Sequence, residues 1–297
     1  RLGRHQEAIK CCEKVLTSDP SNAAILKIRA DMLEAVGKHA EAKNAYEHYL
    51  KISPDDRGAL MAFGAALERS GKFDDAIKQY ALILERDERD VEAWYALERA
   101  LVHMGRYEEA LECSDGIIEA NPENRAAWQR RGEILMWLGR YADAVECFEK
   151  VIKADSADTL TLCKLGEAYE KAGNYEEALA AYTQVLDREP KNIETLHACS
   201  SVLIHLGRYN EAVRTIDKII ALQAEDPAAL FMRGTVLEKM GRYNEALKSY
   251  EKALSANPKN AAIWNAFGAL MSSLGRQADA LGAFEKAIEL RDGDVNA

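Results

Sequence analysis

The chain has 297 residues, 48% of them hydrophobic and 30% charged, which is too apolar for a disordered polymer and long enough to bury a large core. Its formal net charge of -10 argues against a general grip on nucleic acid, which needs a concentration of Lys and Arg. No apolar run approaches the roughly 18 residues that a membrane span requires, so no membrane partner is expected.

Read from the first residue, glycine recurs at 3, 37, 71, 105, 139, 173, 207, 241 and 275, an unbroken period of 34. Five residues after each glycine stands an alanine, from Ala8 to Ala280, and nineteen after it an Asn or Asp, from Asn22 to Asp294. The opening stretch, about 4–18, reads as the second helix of a unit whose first helix is missing, so residues 1–22 are a partial unit. Eight complete units follow at 23–56, 57–90, 91–124, 125–158, 159–192, 193–226, 227–260 and 261–294, forming one domain, with 295–297 as a tail.

Each phase has a mechanical reason. The glycine sits where a helix ends and the chain reverses at positive φ. The alanine lies on the next helix, where a single methyl permits close approach. The Asn or Asp caps the first helix of the following unit, and the prolines at 20, 54, 122, 190, 227 and 258 fall between helices. In 125–158 the first helix carries Trp128, Ile134, Leu135 and Leu138, and the second Tyr141, Ala144, Val145, Phe148 and Ile152, both at helical spacing. One such pair cannot bury its own apolar face, so neighbours must stack. The expected fold is all-α: a right-handed superhelical solenoid of stacked antiparallel helix pairs.

These residues resemble the tetratricopeptide repeat family. Trp128, Gly132, Gly139, Tyr141, Ala144 and Phe148 meet its pattern, and Leu230, Gly234, Gly241, Tyr243, Ala246, Tyr250, Ala253 and Pro258 meet it again. Departures are local: Glu98 and Ser200 stand where the small residue of the first helix is usual. The resemblance implies an assembly platform whose first helices line a concave groove for a peptide or partner segment.

Ligand-recognising residues should therefore lie on first helices at ten, nine, six, three and two residues before each turn glycine. In the three central units these phases hold Tyr95, Arg99, His103, Gln129, Arg130, Met136, Trp137, Lys164 and Lys171. A basic, aromatic strip in an acidic chain suits an acidic peptide with hydrophobic anchors, clamped by Arg forks and gripped by Trp or Tyr. The competing reading is a salt-bridged surface with Trp137 partly in the core, since Glu133, Glu167 and Glu170 share the strip. A second patch, Phe231, Met232, His197, Ile204 and His205, reads first as packing between units.

The clamp that some family members use for acidic chaperone tails is not matched: of Lys27, Asp31, Ala62, Glu92 and Ala96, only Lys27 fits. Arg29, Arg131 and Arg233 share one phase and are expected either to snorkel to the groove edge or to pair with an acidic residue of the neighbouring unit. The six cysteines show no C-x-x-C spacing and read as reduced, buried fillers, pointing to a cytoplasmic setting. The acidic string ERDERDVE at 85–92 reads as a solvated loop with Asp90 as a cap. Without H-E-x-x-H, G-x-G-x-x-G, P-loop or G-x-S-x-G patterns, no catalysis, cofactor or metal is expected. The leading reading is a protein-interaction scaffold. Its alternatives are a substrate-selecting arm of a larger enzyme and a structural array self-associating through exposed end units.

Overall fold

Every first helix starts where its capping residue predicts. Asn22, Asp56, Asp90, Asn124, Asp158, Asn192, Asp226 and Asn260 each precede a helix and accept a hydrogen bond from a first-turn amide. This satisfies a donor that the helix N-terminus leaves open. The computed structural model describes the backbone of residues 2–156 and 158–295 and the side chains of 4–156 and 158–291. The side chain of Asp294, the last of the predicted caps, and the tail residues 296–297 lie outside the described residues.

Among the described residues run α1 (Leu2–Ser18), α2 (Ala23–Ala35), α3 (His39–Ile52), α4 (Arg57–Arg69), α5 (Phe73–Leu84), α6 (Val91–His103), α7 (Tyr107–Ala120), α8 (Arg125–Trp137) and α9 (Tyr141–Ala154). They continue as α10 (Thr159–Ala172), α11 (Tyr175–Arg188), α12 (Ile193–His205), α13 (Tyr209–Leu222), α14 (Pro227–Lys239), α15 (Tyr243–Ala256), α16 (Ala261–Ser273) and α17 (Gln277–Val295). No strand occurs among them.

The turn between the helices of a pair is set by its glycine. At Gly105 φ is 70°, Gly105 N donates to Val102 O at 3.0 Å and Arg106 N to Leu101 O at 3.0 Å. This αL closure satisfies carbonyls that the end of α6 leaves open, and a Cβ there would be strained. The second helices α3, α7, α13 and α15 have no side-chain cap bond; instead a basic residue before the helix pairs with an acidic one in its first turn, as Arg208 does with Glu211 at 2.7 Å. The carboxylate also lies at the positive end of the helix dipole.

The chain divides into two compact units, residues 1–154 and 155–297. In the first, α1 to α9, each helix packs against its chain neighbours around Leu60, Tyr80, Ile117, Leu135 and Phe148. In the second, α10 to α17, the same holds around Leu162, Tyr182, Leu196, Ile216 and Tyr250. Within a pair the close approach rests on small residues. A Cβ on Gly132 would stand 2.6 Å from Phe148 Cε1, and one on Gly166 would stand 2.5 Å from Tyr182 Cε1, so the aromatic ring fills the space left by the missing methyl.

Of the two alternatives for the three arginines of one phase, Arg131 and Arg233 take the pairing one. Arg131 donates to Asp115 at 2.7 Å and Arg233 to Asp217 at 2.8 Å, each reaching the second helix of the preceding pair, while Arg29 lies 3.7 Å from Glu13.

Candidate functional site

In the first unit the first helices are joined by ion pairs that cross from one pair to the next. Arg69 of α4 meets Glu34 of α2 at 2.6 Å, Arg99 of α6 holds Glu68 of α4 through Nε at 3.0 Å and Nη2 at 3.1 Å, and Arg130 of α8 binds Glu98 of α6. Glu68 also accepts from the Tyr80 hydroxyl at 2.9 Å. Carboxylate, guanidinium and phenol thus form a ladder whose members are largely satisfied within the protein.

Glu98 is the unusual rung. It replaces the small residue that faces an aromatic ring in other pairs, and the ring itself is replaced sixteen residues later by Ser114, against Gly132 with Phe148 and Gly166 with Tyr182. The carboxylate is fully buried in the space a ring would occupy. It accepts from Ser114 Oγ at 3.0 Å and from Arg130 Nε. Burial pushes its pKa up, against the opposing pull of Arg130 and Ser114. The sequence carries this exchange as a paired substitution at fixed spacing, a signal that reading each position alone does not show.

The predicted strip is distributed accordingly. Tyr95 donates its hydroxyl to the capping Asn124 at 3.2 Å, repeating what Lys27 does to Asp56 at 2.5 Å. His103 stacks on Phe73 with centroids 5.4 Å apart, and Trp137 packs on Tyr107 at 5.4 Å while remaining 53% exposed. Gln129 reaches Glu133 at 3.5 Å, and Met136 is half-buried. These residues, with Arg99 and Arg130, occupy α6 and α8 of the first unit; Lys164 and Lys171 lie on α10 of the second. The second patch is packed much as its simpler reading requires. Phe231, Met232 and Ile204 lie against the second unit's core, His205 stacks on Tyr175 at 4.9 Å, and His197 Nε2 lies 2.8 Å from the capping Asp226.

Lys164 and Lys171 help line a pocket of about 470 Å³ between the first helices α10 and α12. Its walls include Leu160, 61% exposed, together with Cys163, Thr195 and Ala198, and the carboxylates Glu167, Glu170, Glu189 and Glu194. Glu170 accepts from Tyr182 at 3.2 Å, and Glu189 from Thr159 at 2.8 Å and Asn192 at 2.9 Å. Two lysines among four glutamates make a mixed-charge lining with one apolar wall, suited to gripping a side chain by shape and by salt bridges of both senses.

Four of the thiols, Cys12, Cys113, Cys147 and Cys199, are buried in the packing, whereas Cys11 is exposed on α1 and Cys163 half-buried on α10, against the expectation that all six are buried fillers. Burial pushes Cys113 up to about 12 and Cys199 up to about 11, leaving both as protonated apolar fillers. Among the described residues no group of three or more His, Cys, Asp and Glu is placed to hold a metal ion, and no helix is long and apolar enough to cross a membrane.

Repeated capped helix pairs with αL glycine turns, each packed on its chain neighbour, define the α-solenoid class of repeat proteins, whose exposed helix faces bind other proteins. Models of the tetratricopeptide repeat match residues 1–57, 33–101, 91–134, 123–191, 169–231, 227–260 and 249–282. The chain belongs to the tetratricopeptide repeat family. Similar solved structures include a tetratricopeptide repeat protein from Parabacteroides merdae ATCC 43184, 17% identical with a TM-score of 0.55, covering 84% of this chain and 98% of its own. MamA 41-end from Desulfovibrio magneticus RS-1 is 17% identical with a TM-score of 0.54, covering 57% of this chain and 96% of its own. A further MamA structure, MSR-1 C2, is 26% identical with a TM-score of 0.50, covering 57% and 98%. No curated protein sequence matches the chain.

Proposed function

We propose that this interaction scaffold holds an extended segment of a partner protein along the exposed face of its first helices, and that the pocket between α10 and α12 is where the segment is gripped. The observation that carries this reading is the pocket itself: about 470 Å³ of space on first helices, with Leu160, 61% exposed, at the start of α10 and Lys171 about three turns further along it. Leu160 offers contact to an apolar side chain, Lys171 to a carboxylate, and Glu167 and Glu194 to a cation. A segment carrying both charges around an apolar anchor matches this lining better than a uniformly acidic one. Within the first unit, taken by itself, Arg99 and Arg130 serve the ladder and Trp137, 53% exposed, is the aromatic contact left open.

The test compares partner capture by the intact chain, by the double variant Leu160→Asp with Lys171→Glu, and by Arg99→Ala with Arg130→Ala, each followed by mass spectrometry of retained proteins. A partner lost with the α10 variant and retained by the arginine variant supports the reading. Retention by both variants refutes it.

A further inference from the structure

The repeat supplies its own comparison at one aromatic phase. Trp94 and Trp128 stand at equivalent positions one period apart, and each anchors its indole in the same way: Trp94 Nε1 donates to Glu88 O at 2.8 Å, Trp128 Nε1 to Pro122 O at 2.9 Å. What lies over the two rings differs. The ammonium of Lys150 sits 3.6 Å from the Trp128 ring centroid. The residue equivalent to Lys150 in the preceding unit is Gly116, and that equivalent to Lys153 is Glu119.

The Trp94 ring therefore closes on the Gly116 backbone, where a Cβ would come within 2.7 Å of Cε2 and 2.9 Å of Cζ2. Beside it opens a pocket of about 690 Å³, lined by Ala81, Leu84, Leu97 and Ala120 and by the charged Glu85, Glu88, Glu119 and Arg89. The pocket lies wholly within the first unit, among the end of α5, the following loop, α6 and the end of α7. Around Trp128 the corresponding lining is mainly basic, with Arg125, Lys150 and Lys153 against the single carboxylate Glu123. One period thus carries an indole with a lysine folded over it, and the period before it an indole with glycine in place of that lysine, beside a rim of three carboxylates and one guanidinium, Arg89.

We propose that Trp94 with Glu85, Glu88 and Glu119 forms a binding site for the lysine side chain of a partner protein. The ammonium sits against the part of the indole that Gly116 leaves uncovered, where the quadrupole attracts a cation, within reach of the three exposed carboxylates on the pocket rim. Leu84 and Leu97 receive the methylene stem. Lys150 on Trp128 is the internal precedent for the ligand's chemistry, and it points to lysine as the visiting residue. The acidic loop at 85–92 thereby has a use beyond solvation. This site is independent of the α10–α12 pocket.

The test uses the full chain and the peptide acetyl-Ala-Lys-Ala-amide, with the Nζ-acetyl form as the neutral control, followed by NMR of the indole N–H signals of Trp94, Trp128, Trp137 and Trp264. The lysine peptide is expected to shift the Trp94 signal saturably and the Trp128 signal not at all, and the acetylated peptide to shift neither. Trp94→Leu installs the residue that other units carry at this phase, as at Leu60 and Leu162. It is expected to weaken binding, measured by peptide-observed NMR, about fivefold to thirtyfold. Glu119→Lys is expected to abolish it. An absent Trp94 response, equal binding of the acetylated peptide, or unchanged affinity in Trp94→Leu overturns the proposal.

Discussion

Replacing Arg130 by Met isolates the buried rung of the ladder. Glu98 is fully buried, and Arg130 is its cationic partner, with a side chain 37% exposed. Breaking a fully buried pair costs about 3–5 kcal/mol. Because water reaches the arginine here, the expected loss at pH 7.5 is nearer about 2–3 kcal/mol. The orphaned carboxyl escapes part of that cost by taking a proton. Burial already holds its pKa above the usual carboxylate range, and losing the cation raises it further. A native state that binds the proton more firmly than the unfolded chain is favoured at low pH, and that advantage is lost as pH rises through the native pKa. One such group contributes a slope of at most about 1.4 kcal/mol per pH unit. The defect in Arg130→Met should therefore shrink between pH 7.5 and 5. Guanidinium unfolding followed by far-UV circular dichroism measures this, compared at the first transition because long arrays need not unfold in one step. Adding Glu98→Gln should recover most of the loss at pH 7.5. A defect of equal size at both pH values, or no recovery in the double variant, refutes the account.

Gly132→Ala should cost about 1–3 kcal/mol, because its methyl meets Phe148, whereas Gly282→Ala, with nothing within 4 Å, should stabilise by up to about 1 kcal/mol; the same unfolding assay compares them. Asp56 is lowered to about 2 by its bonds from Lys27 and Tyr49, so its contribution is fully present above about pH 4 and lost as pH falls toward 2. The stability difference between wild type and Asp56→Asn, which retains a capping side chain, should vanish over that window in acid titrations followed by circular dichroism. Thiol titration of the native protein at pH 7.5 should find exposed Cys11 reacting first and half-exposed Cys163 next, while Cys113, Cys147 and Cys199 wait for denaturant. Fast modification of all the thiols would show that the helix pairs open readily.

The helices, their caps and their turns were legible in the sequence because each depends on residues a few positions apart. Asn124 caps α8 through an amide three residues on, and Gly105 closes α6 through bonds within one turn. The 34-residue period then dictated that these elements stack, since one helix pair exposes more apolar surface than it can bury alone. The fate of the polar side chains was decided by tertiary structure. Arg99 and Arg130 share a surface phase with candidate ligand contacts, yet their partners Glu68 and Glu98 lie 31 and 32 residues earlier, so that register emerges only when one pair is laid on the next. Tyr95 is claimed in the same way by a cap 29 residues ahead. The Trp94 pocket depends on Gly116, twenty-two residues away on another helix, and on a ring that settles where no Cβ stands. Local rules fix where a helix begins and ends, but whether a charge is spent internally or left for a partner depends on which side chains the packing brings within about 3 Å of it.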